Sequence, residues 1–297
     1  MPSIALCASL IGIFQWFNIL DFDSWFTRYY IPSQSGKLLF EDLMDPKPWT
    51  RVLGTLSNPN FYAIELIFFM VYIISNVIFD GSRKGKTADF VILLIIFAGI
   101  IFSQSRTAIV VLVCLTVYIA ALQIARKGVR SALPYAAAIA AVILVPLVLM
   151  KFMDLSYLMN AVKSGTLTGS FVKRLDRWKD ALKLFRLHPI IGIGPVVQTY
   201  FASVDSEYIH ILRNYGALGL LAHLCFYIYV FVASLRDFFS NKSGMIRQYG
   251  FIANCTVLSV LVAGITQPTF YHWRNFILLL VTCCIWAKIR DEQRDKL

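Results

Sequence analysis

The dominant feature of this sequence is a series of apolar runs, each close to the length of a helix that crosses a bilayer. Such a helix needs about 20 consecutive apolar residues, and in lipid its backbone must satisfy its own hydrogen bonds. Hydrophobic residues make up 58% of the chain and charged residues only 15%, against about 25% charged residues in soluble domains. We therefore predict an all-α, polytopic membrane protein with about eight transmembrane helices. The predicted spans are residues 3–20, 60–79, 88–105, 107–125, 132–151, 215–235, 249–267 and 275–289.

The predicted topology rests on Lys and Arg, which collect in the short loops on the cytoplasmic side of a membrane. The polar residues Ser103–Arg106 divide the apolar run 88–125 into a tight hairpin of two spans. With this division all of the short basic clusters fall on one side of the membrane, which we assign to the cytoplasm together with both termini. The clusters lie at Arg83–Lys86, Arg126–Arg130, Arg236–Arg247 and Lys288–Lys296.

This topology leaves one long extracytoplasmic loop and divides the chain into three parts. Residues 1–151 hold the N-terminal transmembrane helices with an outer loop at 21–59. Residues 152–214 form the long loop, and residues 215–297 hold the C-terminal helices and a cytoplasmic tail. The net charge of +11 lies between the apolar runs, so it predicts a lipid bilayer rather than nucleic acid as the partner.

The cysteines and the N-terminus show no sign of metal, redox or export chemistry. All six cysteines lie inside apolar runs and lack zinc-ligand spacing with histidine. We expect them to be small apolar core residues, and we expect no metal and no cofactor. The N-terminus runs directly from Met1-Pro2-Ser3 into an apolar segment, without a basic region or a cleavage site, which predicts an uncleaved first span.

The long loop contains a predicted amphipathic helix. Over residues 171–186 apolar side chains recur at helical spacing and the opposite face is charged, which is typical of a helix on a membrane surface or capping a bundle. Arg174 and Arg177 lie together along one edge of the apolar stripe. The helix should stop at His188, because Pro189 disfavours helical geometry in the residue before it. The stripe consists of Phe171, Leu175, Trp178, Leu182 and Phe185.

A glycine-rich turn and an acidic segment follow this helix. Gly192 and Gly194 predict a turn whose backbone amides either approach a phosphate or sugar, or only change the direction of the chain. Asp205, Glu207 and His210 come next, close to the start of a predicted span. Carboxylates and histidine are the usual general bases for a hydroxyl. The same acidic groups can instead pair with neighbouring arginines and have no other role.

Four segments together resemble the bacterial O-antigen ligase and O-antigen polymerase family. Each segment is weak alone, and the likeness rests on their order and on their shared predicted position at the outer face, over roughly residues 49–220. The segments are Arg51 to Asn60 with Gly54 and Asn58-Pro59-Asn60, Ser103 to Ala108, Arg174 to Trp178 with Pro189 and Gly192-Ile193-Gly194, and Asp205 to Gly219 with Tyr208 and Gly216.

The resemblance implies a metal-independent glycosyltransferase. Such enzymes transfer a glycan from undecaprenyl pyrophosphate to an acceptor hydroxyl at the outer face of the inner membrane, so the long loop would be periplasmic. Ligases use lipid A–core as the acceptor and typically show a His-Asn pair where this chain has Asp205-Ser206-Glu207. The departure favours a polymerase of O-antigen, capsular polysaccharide or exopolysaccharide repeat units, with the ligase as the alternative. A chain-length regulator and a flippase are the protein partners that this reading suggests.

The leaving group in such a reaction is a pyrophosphate, whose oxygens gain negative charge in the transition state. Fixed guanidinium groups stabilise that charge, and the planar fork of arginine matches phosphate oxygens. We expect Arg51, Arg106, Arg174 and Arg177 to bind the pyrophosphate, with Arg213 as a further candidate. The alternative is that Arg51 and Arg106 are interfacial anchors at helix ends, and that Arg174 and Arg177 form the solvated edge of the amphipathic helix.

The acceptor hydroxyl needs a group that orients or deprotonates it. Glu207 is the first choice, Asp205 the second and His210 the third, and direct attack on the anomeric carbon would invert its configuration. An acid inside a predicted span is also a candidate for function. The remaining substrate-binding candidates are Asn58, Asn60, Trp178 and Glu65.

Two other classes of function remain open. A transporter, such as a lipid-linked oligosaccharide flippase, needs ionisable residues or broken helices near the bilayer midplane. In this sequence the polar residues concentrate at the outer ends of the predicted spans and in one loop, which favours chemistry at the surface. A non-catalytic subunit of an envelope assembly complex is the third reading.

Overall fold

The structure is a computed structural model, and it describes most of the apolar runs and the central part of the long loop. The chain divides into two compact units, Met1–Pro146 and Leu147–Leu297, and each is described by itself. The predicted span 132–151, the outer loop 21–59 and the loop segments 152–168 and 196–203 lie mostly or wholly outside the described residues. Those residues are 2–22, 51–56, 58–79, 83–134, 169–195, 204–240, 243–269 and 272–294, with Ala140 and Leu144.

Helices joined by turns account for the described ranges, as the sequence predicts for an all-α fold. The described residues of the first unit include two short 3-10 helices besides the α-helices, at Ile19–Asp21 and Val129–Ala132. The α-helices are α1 (Pro2–Phe17), α2 (Pro59–Phe79), α3 (Arg83–Phe102) and α4 (Arg106–Lys127) in the first unit, and α5 (Gly169–Leu187), α6 (Glu207–Phe239), α7 (Gly244–Ala263) and α8 (Trp273–Arg294) in the second.

Five of these helices, α2, α3, α4, α6 and α7, are long and apolar enough to cross a membrane, counting within the described ranges alone. They confirm a polytopic membrane protein with fewer clear spans than predicted. The 16 residues of α1 cover about 24 Å, less than the roughly 30 Å of a hydrocarbon core. α8 carries Arg274 at its start and Lys288 and Arg290 near its end, so its uncharged stretch is short.

In the first unit, α3 and α4 form the predicted hairpin. α3 ends at Phe102, and Ser105 is the N-cap of α4, where its hydroxyl oxygen accepts a hydrogen bond from the backbone N–H of Ala108 at 3.2 Å. Serine is a preferred N-cap because its side chain satisfies an N–H that has no partner within the helix. The polar residues that separate the two apolar runs in the sequence therefore start the second helix.

Residues 51–56 are bound to this hairpin and to α1. The backbone N–H of Val52 donates to the carbonyl of Phe102 at 3.3 Å, and Gln15 of α1 bonds both to the N–H of Gly54 (2.7 Å) and to its carbonyl (3.3 Å). Gly54 has φ +58°, and a Cβ there would lie 2.1 Å from the ring of Tyr62. Only glycine fits this position. Packing against Tyr62 therefore explains the glycine in the segment Arg51 to Asn60, the first of the four segments that carry the family resemblance.

In the second unit, α5 confirms the predicted amphipathic helix. It ends at Leu187, directly before His188, as Pro189 predicts. α5 packs against α6, and Ala181, at 2% exposure, is the most buried of the α5 side chains that the structure describes. Leu182, which belongs to the predicted stripe, is 36% exposed. The buried face of α5 therefore includes Ala181, which lies outside the predicted stripe.

α6 is not one straight helix, because it breaks at Gly216 with φ +66° and ψ −166°. This backbone conformation is essentially restricted to glycine. Glu207 and His223 are 16 residues apart, which is about 24 Å along a straight helix, yet their side chains approach to 2.7 Å. The chain therefore doubles back at Gly216. We call residues 207–215 α6a and residues 217–239 α6b. α6b is about 34 Å long, which is enough to span the bilayer, and it matches the predicted span 215–235.

The glycine-rich turn after α5 caps the end of α6a. The backbone N–H groups of Ile193 and Gly194 donate to the carbonyls of Arg213 and Asn214, at 3.0 and 2.9 Å. These carbonyls lie in the last turn of α6a, where a helix leaves C=O groups without partners. Of the two predicted roles of the turn, the structure shows the local one, since these amides bond to protein rather than to a ligand.

The same turn also caps the start of α6b. The backbone N–H groups of Ala217 and Leu218 donate to the carbonyls of Pro189 and Ile190, at 2.9 and 3.1 Å. A break inside an apolar region exposes backbone groups that are costly to leave unpaired. The turn therefore supplies partners for both ends of the break, and the two features depend on each other.

α6b, α7 and α8 are joined near the predicted cytoplasmic ends of the spans. The indole N–H of Trp286 donates to a carboxylate oxygen of Asp237 at 3.0 Å, and Arg290 Nε lies 3.5 Å from the same oxygen. Halfway along α7, the side-chain amide of Asn254 donates to the carbonyl of Phe231 at 2.7 Å. These polar contacts link α6b to α7 and α8, while the turn at residues 189–194 links α5 to α6.

We expect Gly216→Ala to disrupt the second unit. Alanine is strained at a φ of +66°, and its Cβ would lie 2.3 Å from the carbonyl oxygen of Ile190. The strain alone costs about 1–3 kcal/mol, so the thermal midpoint of the detergent-purified protein should fall clearly. Gly244→Ala is the matched control, because a Cβ at Gly244 meets nothing within 4 Å. Equal midpoints for the two variants would contradict the broken helix.

Candidate functional site

Two arginines of α5 and one aspartate before α6 meet in a cluster. Arg174 Nε lies 3.3 Å from Asp205 Oδ2, and Arg177 Nη1 donates to the same oxygen at 3.3 Å. The two arginines lie on one side of α5, as their spacing predicts. The side chains of Arg174, Arg177 and Asp205 are 26%, 42% and 28% exposed. The cluster is therefore accessible from the surface, and we call these three residues the Arg–Asp cluster.

The Arg–Asp cluster has the chemistry of an anion-binding site. A guanidinium carries five N–H donors, which is more than the bond to Asp205 uses, so each arginine keeps donors for a second anion. The shared carboxylate holds the two positive charges close together in spite of their mutual repulsion. Two neighbouring guanidinium forks of this kind match the several oxygens of a phosphate or pyrophosphate.

Glu207, the first-ranked candidate for the acceptor hydroxyl, lies in the interior of the second unit. Its side chain is 2% exposed, and Oε1 lies 2.7 Å from His223 Nε2 and accepts a hydrogen bond from the hydroxyl of Tyr227 at 3.4 Å. Its backbone N–H donates to the carbonyl of Gly264 at 2.8 Å. These bonds join α6a to α6b and to the end of α7. The structure thus gives Glu207 a role in packing, and its catalytic role stays a prediction.

His210 and Arg213 belong to a second polar group along α6a. Asn214 Nδ2 lies 3.1 Å from His210 Nε2, and Arg213 Nε donates to the side-chain oxygen of Asn214 at 2.9 Å. Arg213 is 4% exposed and Asn214 3%, whereas His210 is partly buried. Arg213 is therefore enclosed by protein, unlike the two arginines of α5, and its predicted contact with pyrophosphate stays a prediction.

Trp178 follows Arg177 on α5 and is partly buried. Its indole N–H is buried and has no hydrogen-bond partner within the part of the chain that the structure describes. Tryptophan is usually placed so that this N–H finds a partner. Trp178 lies next to the Arg–Asp cluster in the sequence, and its contact with substrate stays a prediction.

In the first unit, Arg51 joins two of the resemblance segments. Its Nε donates to the carbonyl of Ser103 at 3.2 Å, and its Nη2 donates to the side-chain oxygen of Asn60 at 2.8 Å. Arg51 and Ser103 are 52 residues apart in the sequence. Arg106, the first residue of α4, is exposed. Arg51 and Asn60 thus lie against the tip of the hairpin that carries Arg106.

The other two candidates of the first unit lie in or beside α2. Asn58 directly precedes Pro59, the first residue of α2. Its side-chain oxygen accepts a hydrogen bond from the N–H of Asn60 at 2.8 Å, which is typical of an N-cap residue. Glu65 is buried in α2, one turn after Tyr62. Binding roles for Asn58 and Glu65 remain predictions.

The sequence did not reveal the partners of Glu207. His223 of α6b lies 2.7 Å from Glu207, and no local sequence pattern pairs these two residues. Tyr227 and the carbonyl of Gly264, which complete the environment of Glu207, carry no local pattern. The sequence signal that could have indicated these contacts is Gly216, because a glycine within an apolar helical run often marks a structural feature such as a break.

Residues 91–224 match a protein-family model described as O-antigen ligase. The match confirms the family resemblance that the four short segments indicate. It contains the hairpin tip, the Arg–Asp cluster and α6a, and it leaves out the segment Arg51 to Asn60. A search of curated proteins found no match to the chain.

Glu207→Ala and Asp205→Ala should separate a packing role from a surface role. Removing Glu207 leaves His223 and Tyr227 buried without their partner, at about 1–3 kcal/mol for each unsatisfied group, so the melting temperature should fall. Asp205 makes ion pairs that are partly exposed, and such pairs contribute about 0–1 kcal/mol. Its variant should melt close to wild type in a detergent thermal-shift assay. A larger loss for Asp205→Ala than for Glu207→Ala would refute this division.

Proposed function

We propose that this chain is a membrane glycosyltransferase of the O-antigen ligase and polymerase type, acting on glycans linked to a lipid pyrophosphate. The observation that carries the proposal is the Arg–Asp cluster, in which Arg174 and Arg177 each lie 3.3 Å from Asp205 inside the range that matches the family. An amphipathic helix such as α5 lies at the depth of lipid headgroups. We place the protein in the inner membrane, with the cluster on the periplasmic side.

The proposed substrate is a glycan on undecaprenyl pyrophosphate, and the two arginines of α5 bind the pyrophosphate. Negative charge develops on the pyrophosphate oxygens as the sugar leaves, and donors that are already in position stabilise it without reorganisation. Arg174 and Arg177 meet this requirement because α5 and Asp205 hold them in place. Arg51 and Arg106 are the corresponding candidates in the first unit.

In the proposed reaction, the oxygen of an acceptor hydroxyl bonds to the anomeric carbon while the bond from that carbon to the pyrophosphate oxygen breaks. The bonding electrons leave with the pyrophosphate, and the hydroxyl proton passes to a carboxylate and then to solvent. Asp205 is the first candidate for the carboxylate that accepts this proton, because its side chain is 28% exposed. Glu207, in contrast, is enclosed by His223 and Tyr227. Attack from the face opposite the pyrophosphate inverts the anomeric configuration.

We favour polymerisation of repeat units over transfer to lipid A–core. The argument is the sequence Asp205-Ser206-Glu207, which stands where ligases of the resembling family typically have a His-Asn pair. The acceptor would then be the terminal sugar of another lipid-linked repeat unit. A flippase that supplies this unit and a chain-length regulator are the proposed partners, and ligation is the second candidate function.

The break in α6 does not favour the transporter reading. Transporters use the free ends of broken helices to bind ions and substrates. At Gly216 the N–H groups of α6b bond to Pro189 and Ile190 and the carbonyls of α6a bond to Ile193 and Gly194. Because protein groups occupy these helix ends, the break supports packing of the loop onto the bundle rather than passage of a substrate.

Arg174→Lys and Arg177→Lys should each reduce glycan transfer on the order of 100-fold, the usual effect of removing one preorganised donor. Lysine keeps the charge and loses the bidentate fork. The measurement is polymer length and yield on gels, at matched expression, in a strain that lacks the native gene. Arg186→Lys is the matched control on the same helix, because Arg186 is exposed in the last turn of α5 and lies outside the cluster. Full-length polymer from both cluster variants would exclude this site.

Deletion of the gene should separate polymerase from ligase. Loss of a polymerase leaves single repeat units that are still attached to their final acceptor. Loss of a ligase leaves long polymer on the lipid carrier and none on lipid A–core. Mass spectrometry of the extracted lipid-linked glycans and of lipopolysaccharide distinguishes these outcomes, and unchanged glycans in both fractions would contradict both functions.

A further inference from the structure

The loop between α7 and α8 holds two buried polar side chains whose hydrogen bonds are not accounted for. Gln267 is 3% exposed and Thr269 is 1% exposed. The two amide atoms of Gln267 and the hydroxyl of Thr269 have no hydrogen-bond partner among the residues that the structure describes. Buried polar groups are nearly always bonded to protein, water or ligand. Three such atoms within three residues leave a concentrated hydrogen-bonding capacity that a molecule from outside the protein can complete.

This loop is attached to the acidic segment that leads into α6a. The carbonyl of Gly264 accepts a hydrogen bond from the N–H of Glu207 at 2.8 Å and lies 3.4 Å from the hydroxyl of Ser206. Gln267 follows Gly264 by three residues, a reach of at most about 11 Å for an extended chain. Asp205 directly precedes Ser206. One extended glycan is long enough to contact both Asp205 and this loop.

The polar groups of the loop are neutral. Residues 264–272 contain no Asp, Glu, Lys or Arg. Burial, together with the positive charge of Arg274, lowers the pKa of His272 to about 4, so His272 is neutral at neutral pH. Phosphate groups are bound most strongly by charged donors, which the loop lacks. An amide supplies donors and acceptors together, and a hydroxyl does the same, which suits the hydroxyl and acetamido groups of a sugar.

We propose that Gln267 and Thr269 form a sugar-binding subsite next to Asp205, which takes one sugar ring of the glycan. The inference rests on the proposed function and adds a division of labour to it. The Arg–Asp cluster binds the charged pyrophosphate, and the loop between α7 and α8 binds the uncharged sugar. The hydrogen bonds of Gln267 and Thr269 orient the ring, so these residues contribute to the choice of sugar.

The test compares two probes on the purified full-length protein in nanodiscs. One probe is undecaprenyl pyrophosphate without sugar, and the other is the lipid-linked glycan extracted from a strain that lacks this protein. Gln267→Leu and Thr269→Val remove the polar groups at similar volume. Gln123→Leu, at another buried amide with 3% exposure, and Thr282→Val, whose hydroxyl bonds to the carbonyl of Leu278, are the matched controls.

We expect each loop variant to bind the glycan probe roughly tenfold more weakly, as for the loss of one neutral hydrogen bond, and to bind the sugar-free probe as wild type does. The controls should bind both probes normally. Unchanged glycan binding would overturn the proposal, since the loop would then enclose only water or other protein groups. An equal loss for both probes would also overturn it, because a sugar subsite cannot affect a probe without sugar.

A milder pair of variants covers the case in which the first pair does not fold. Thr269→Ser keeps the hydroxyl and Thr269→Ala removes it, with little change in volume. The serine variant should bind the glycan probe as wild type does, and the alanine variant roughly tenfold more weakly; equal binding would overturn the subsite. Failure of the proposed function itself looks different, since the wild type would then bind neither probe and the deletion strain would accumulate no lipid-linked glycan.

Discussion

The break of α6 at Gly216, with the caps that the turn at residues 189–194 provides, is the constraint on which the second unit depends. A helix interrupted in an apolar region exposes N–H and C=O groups that have no water to bond with. Here the four backbone bonds between the turn and α6 satisfy them. The same four bonds attach the long loop to α6. The position of α5 follows from this, because Pro189 ends the helix directly before the turn. Arg174 and Arg177, which α5 carries, therefore have a fixed position.

The same reversal gives two acids that are two residues apart very different surroundings. Asp205 stands before α6a, partly exposed, and receives Arg174 and Arg177. Glu207 begins α6a, and its side chain is buried between α6a and α6b, where His223 of α6b lies 2.7 Å away. A buried carboxylate with such partners contributes to the fold through them, whereas an exposed carboxylate between two arginines can exchange its partners for those of a ligand. Their proposed roles differ for this reason.

The two parts of the proposed glycan site differ in charge. The cluster on α5 and the acidic segment combine positive and negative groups at a surface where a lipid pyrophosphate would lie. The loop between α7 and α8 offers Gln267 and Thr269, buried and uncharged. A lipid-linked glycan has the same two parts, a charged headgroup and neutral sugars, and the carbonyl of Gly264 connects the regions that would receive them.

The sequence alone predicts the membrane class, the helices α2, α3, α4 and α7 within a few residues, the hairpin tip and the amphipathic α5. These features depend on the length and period of local runs of residues, which a single chain displays directly. The family resemblance was also visible, because its segments are short and ordered. Only the folded chain shows the reversal at Gly216, the burial of Glu207, and the contact of Arg51 with Ser103. Each of these depends on groups that are distant in sequence, and an apolar run that contains a glycine has the same local pattern whether the helix continues or folds back.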